Sequence, residues 1–69
     1  MKRREAMAEA ARRAKAEQRT IDVDWRWVED DSYIGRHYYT RESTCPKRDG
    51  AHHYASVHVG GRADFVGKP

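Results

Sequence analysis

Hydrophobic and polar positions change period once along this chain, at Thr20. Residues 3–18 hold neither Gly nor Pro and are rich in Ala, Glu, Arg, Lys and Met, the residues that lose least on entering a helix. Met7, Ala10, Ala11 and Ala14 recur at i, i+3, i+4 and i+7, so a helix over 5–19 presents a narrow stripe of small side chains that can lie close against a sheet. Lys2, Arg3 and Arg4 stand where the helix dipole disfavours cations, which predicts a frayed basic arm over 1–4.

Beyond Thr20 the period is two. Ile21, Val23, Trp25 and Trp27 alternate with Asp22, Asp24 and Arg26, the pattern of a half-buried strand. Glu29 to Ser32 reads as a turn, and alternation resumes from Tyr33 to Thr44, with Ile34, Arg36, Tyr38 and Thr40 on the inward face and Gly35, His37, Tyr39 and Arg41 on the other. Pro46 to Gly50 forms a second turn, His52 to Val59 a third strand with His53, Ala55, Val57 and Val59 inward, and Arg62 to Val66 a short edge strand after Gly60-Gly61. The pattern predicts one α+β domain over 1–69, with an N-terminal helix packed on one face of an antiparallel β-meander that fills 20–69 in three strands and a candidate fourth.

Registers follow from the turns. Closing the first hairpin with 29–32 sets Val28 opposite Tyr33, Trp25 opposite Arg36 and Asp24 opposite His37. Closing the second with 47–50 sets Cys45 opposite His52, Thr40 opposite Val57 and Tyr39 opposite His58. Both keep the apolar side chains on one face, the condition that fixes register in a half-buried sheet. The helix stripe is then expected against Trp25 and Trp27. The outer face presents Asp22, Asp24, Arg26, His37, Tyr39, Arg41, Tyr54, Ser56 and His58.

Composition changes this picture in one respect. The chain has no Leu, and its eight Leu, Ile, Val and Phe residues among 69 leave little for a core. Trp25, Trp27, Tyr33, Tyr38, Tyr39 and Tyr54 supply the missing area, and a partner or a second copy of the chain is a candidate to complete it. A single cysteine, Cys45, precludes an intrachain disulfide, and no apolar run reaches the length of a signal or membrane segment, so the expected location is the cytoplasm.

Charge separates the two ends. Residues 1–19 carry seven Lys/Arg against three Glu, whereas 20–69 carry seven basic and eight acidic residues and every aromatic and histidine side chain. Four functional readings compete for this distribution. A zinc site from Cys45, His37, His52, His53 and His58 is disfavoured, because His52 and His53 point to opposite faces and His52 and His58 lie about 20 Å apart along a strand. A small endoribonuclease would use His37 and His58 as acid and base, with Arg26 and Arg41 to stabilise developing phosphorane charge. Direct DNA or RNA binding would combine Arg12, Arg13, Lys15 and Arg19 with sheet aromatics, against repulsion from Asp22, Asp24, Glu29, Asp30 and Asp31.

The fourth reading is protein binding, and the sequence favours it. Asp22, Asp24, Arg26, His37, Tyr39, Arg41, Tyr54 and His58, rimmed by Glu29, Asp30 and Asp31, have the composition of an interface hot spot. The expectation is a non-enzymatic module without cofactor or metal, a stoichiometric regulator or inhibitor of a nucleic-acid-handling complex. Its acidic hairpin would imitate phosphates in the manner of compact phage-encoded inhibitors.

Overall fold

The alanine-rich segment forms helix α1 (Arg3–Glu17) in the computed structural model, which describes residues 1–66. Glu5 accepts the backbone N–H of Lys2 at 3.0 Å, and Gln18, in the left-handed region at φ 55°, ends the helix with its amide side chain on the Lys15 carbonyl at 2.7 Å. The helix therefore starts two residues before the expected 5. Met1 lies along the sheet edge, where its carbonyl accepts the Tyr38 N–H at 2.8 Å, so residues 1–4 are tied to the sheet and the first helical turn in place of the expected frayed arm. No helix among the described residues is long and apolar enough to cross a membrane.

Four antiparallel strands follow: β1 (Ile21–Glu29), β2 (Ile34–Glu42), β3 (His52–Val57) and β4 (Ala63–Phe65). The α+β class holds, with the helix on one face of a four-stranded antiparallel sheet. The strand order is β2-β1-β3-β4 rather than a consecutive meander. The β1 strand is central, β2 and β3 flank it in parallel, and the expected pairs Cys45–His52, Thr40–Val57 and Tyr39–His58 do not form. The physical reason lies in Asp22 and Asp24. At a sheet edge they would need water, whereas between β2 and β3 they are enclosed by Arg41 on one side and Ser56 on the other. The nine residues 43–51 make the crossover on the side away from the helix, where the Cys45 carbonyl accepts from Arg41 Nη1 at 2.5 Å and the Arg48 guanidinium lies 5.9 Å from the Tyr39 ring centre. Expected sheet at 67–69 lies outside the described residues.

Two register details decide which side chains share a face. The first hairpin closes with Asp30–Tyr33 instead of 29–32, so Trp25 faces Tyr38 and Asp24 faces Tyr39. Asp30 builds that loop, accepting the N–H groups of Ser32 and Tyr33 at 2.9 and 2.8 Å; these bonds, Ser32's first, hold its carboxyl below the usual range. A two-residue slip keeps every side chain on its expected face. In β3, by contrast, a bulge places Tyr54 as the extra residue between the pairs Val23–Ala55 and Asp24–His53. It turns Tyr54 to the helix side, against Tyr38 at 5.4 Å, and His53 to the opposite side, reversing both expectations.

The core is small. Ala6, Ala10 and Ala14 of α1 pack on Ile21, Val23, Tyr38 and Val57, with Met7, Trp25, Tyr54 and Ala63 around them. Ala11, expected inward, is exposed beside Val59 and Gly60-Gly61. The stripe is rotated from the expected one, running through Ala6 instead of Ala11, and it covers the Ile21 end of the sheet. Trp27 stands clear of the helix, 57 % exposed.

Candidate functional site

The outer face holds a closed polar network, a different object from the open docking surface expected there. Asp24 is 0 % exposed and Arg41 grips it with two bonds, Nε to Oδ2 at 2.6 Å and Nη2 to Oδ1 at 3.1 Å. Arg41 Nη2 also reaches Asp22 Oδ2 at 3.1 Å, and Ser56 donates to Asp22 Oδ1 at 2.8 Å while lying 3.1 Å from His53 Nε2. Asp24 and then Asp22 hold the Arg41 guanidinium above its already high ordinary pKa, against the opposing effect of burial. Tyr39 lies beside this network with its hydroxyl buried and without a hydrogen-bond partner among the described residues. These groups fix the crossover to the sheet and leave little surface for a ligand.

The remaining expected site residues are dispersed. Arg26 is exposed opposite His37 on the hairpin. His58 bridges Thr20 Oγ1 at 3.1 Å and Asp64 Oδ2 at 2.8 Å, below the far end of the sheet. His37 faces Arg26 while Val57, the residue before His58, faces Ile21, a separation of about 17 Å along β1. The two histidines of the ribonuclease reading are thus not brought together. Tyr54 belongs to the other face. Among the described residues no three His, Cys, Asp or Glu side chains converge as metal ligands would.

Of the seven cations in residues 1–19, three are paired with carboxylates among the described residues. Arg12 pairs with Glu9, Arg13 with Glu17 at 2.8 Å and Arg19 with Glu42 at 2.8 Å, which leaves Lys15 alone of the four cations expected to meet phosphate. Lys2, Arg3 and Arg4 form no ion pair among the described residues, and they sit where the helix begins beside the middle of β2.

The surface that does assemble lies on the helix side, where α1 leaves the sheet bare. Trp25 is sandwiched between the Arg36 guanidinium, 3.9 Å from its ring centre, and the His52 ring at 4.3 Å. Tyr54 meets Tyr38 and Phe65 edge to face at 5.4 and 5.5 Å. Around these fixed groups Trp27, Ile34 and Phe65 are 57 %, 69 % and 61 % exposed. Register places all three on the helix-side face, since Trp27 faces Arg36, Ile34 faces Glu29 and Phe65 faces Ala55. Glu29, whose carboxylate accepts the Trp27 indole N–H at 3.0 Å, and Asp31 edge this surface at the hairpin tip. The alternation named Trp27 and Ile34 as inward, but inward of a sheet is buried only as far as the covering helix extends.

His37 carries a pH dependence. Burial, then the positive charges of the chain's amino group and Arg26, hold its pKa below the ordinary 6.5. The unfolded chain therefore binds the proton more readily, so this stability is complete above 6.5 and declines as pH falls through the folded value. Thermal melts from pH 7.5 to 5 should show a falling Tm that flattens in His37→Gln. An identical slope in the variant would show that His37 is not the group responsible.

No family model, curated protein or solved structure matches the chain.

Proposed function

We propose that this protein is a non-enzymatic protein-binding module that docks through the bare aromatic end of its helix-side sheet face. The observation that carries the reading is the exposure of Trp27 and Ile34 beside the stacked Trp25, with Phe65 exposed on the same face two strands away on β4. Large apolar side chains grouped around rigid, already stacked aromatics match the anatomy of a binding hot spot, because little side-chain freedom remains to be lost on association. Pairing of Arg12, Arg13 and Arg19 with carboxylates weighs against nucleic acid as the ligand. The acidic hairpin tip fits a partner with a basic surface, and in that form the protein acts as a stoichiometric regulator or inhibitor of a nucleic-acid-handling complex.

The test is affinity capture on the immobilised protein with and without nuclease, followed by titration of whatever protein is recovered. Trp27→Ala and Phe65→Ala should each weaken binding by about 2 kcal/mol while leaving the melt nearly unchanged. Capture abolished by nuclease, or binding indifferent to both substitutions, would contradict the reading.

A further inference from the structure

We infer that the same face docks a second copy of the chain, so that the free protein is a homodimer whose dissociation precedes partner binding; this rests on the reading of that face as the binding surface. The first ground is the distribution of apolar bulk. The largest fully buried side chains are only Ile21, Val23, Val57 and Asp24, whereas Trp27, Ile34 and Phe65 are left to water. A monomer thus leaves Trp27 and Ile34 exposed as diagonal neighbours on one face, the kind of apolar patch that marks an interaction site.

The second ground is charge, and here both sides of the interface are known. The hairpin tip bordering the face is acidic, with Glu29, Asp30 and Asp31, and the start of α1, which meets the hairpin at Tyr33 and Arg36, is basic, with Lys2, Arg3 and Arg4 exposed and unpaired among the described residues. A two-fold axis lying in the face and bisecting these two clusters sets each acidic tip on the partner's basic helix start, in two symmetric copies, while Trp27 and Ile34 meet the partner's aromatic surface. Lys2, Arg3 and Arg4 also sit unfavourably at the positive end of their own helix dipole, and an incoming carboxylate relieves that. Sheet-edge pairing is the weaker route to a dimer. The β2 edge is met by Met1 at Tyr38, and the short β4 edge carries Asp64 at its centre, where an antiparallel copy would oppose like charges.

Sedimentation velocity over a hundredfold range of concentration tests the inference. Wild type should show a concentration-dependent dimer, and Trp27→Ala should weaken it about 30-fold. Asp31→Lys alone and the pair Arg3→Glu, Arg4→Glu alone should each weaken it about fivefold, and mixing the two variants should restore a heterodimer. The acidic substitutions suit a helix N-terminus, so loss of the dimer in that variant does not reflect a weakened helix. A monomer at every concentration, or a dimer unaffected by Trp27→Ala and not rescued by mixing, overturns the inference. Failure here is separable from failure of the proposed function: a monomer that still captures another protein through Trp27 removes only the dimer, and a Trp27-dependent dimer that captures nothing removes only the partner.

Discussion

Arg41→Ala is expected to cost about 3–5 kcal/mol of folding stability, enough to leave this chain largely unfolded at room temperature. Removing the guanidinium strands Asp24, which is 0 % exposed, and takes away the second donor to Asp22 and the tie to the Cys45 carbonyl. The cost comes from leaving buried carboxylates without a counter-charge, since an intact buried pair gains little over apolar side chains of similar size. The combination Arg41→Met with Asp24→Leu should accordingly recover much of the loss. Urea denaturation of the three proteins measures this, and an Arg41→Ala change below about 1 kcal/mol would mean that the network is hydrated and open.

Ala10→Leu should destabilise the fold by about 1–3 kcal/mol, because Ala10 is 0 % exposed between α1 and the sheet and the added methylenes have nowhere to go. Ala11→Leu, one position along the same helix, points outward and should fall within about 0.5 kcal/mol of wild type. The contrast between adjacent alanines reports the rotation of the helix directly. Equal effects at the two positions would mean that α1 does not sit on Ala6, Ala10 and Ala14.

The elements themselves were legible because each rests on local chemistry. Helix propensity with its small-residue stripe, and the two-residue alternation through Ile21, Val23, Trp25 and Trp27, are properties of neighbours in the chain. Strand order was not legible in the same way. Hairpin logic joins β2 to β3 through Pro46 to Gly50, and the competing order depends on burying Asp22 and Asp24 between strands distant in sequence. The bulge at Tyr54 leaves no mark in the alternation of β3, and it alone moved Tyr54 and His53 to the wrong faces. The candidate site shifted for the same reason. Polar alternation identified Asp22, Asp24 and Arg41 as sharing a face, but it does not register that nine intervening residues lie across that face. Trp27 and Ile34 were read as core because the reach of a helix over a sheet depends on its crossing geometry.

The central claim, that the bare aromatic end of the sheet is the binding surface, is tested most directly by hydroxyl-radical footprinting of the protein alone and in complex with the protein it captures after nuclease treatment. Trp27, Ile34 and Phe65 should oxidise readily in the free protein at low concentration and be protected in the complex, while Tyr39 under the crossover stays slow in both. Protection confined to the exposed 43–50 segment, with Trp27 and Phe65 unchanged, would place the partner on the opposite face and contradict the account.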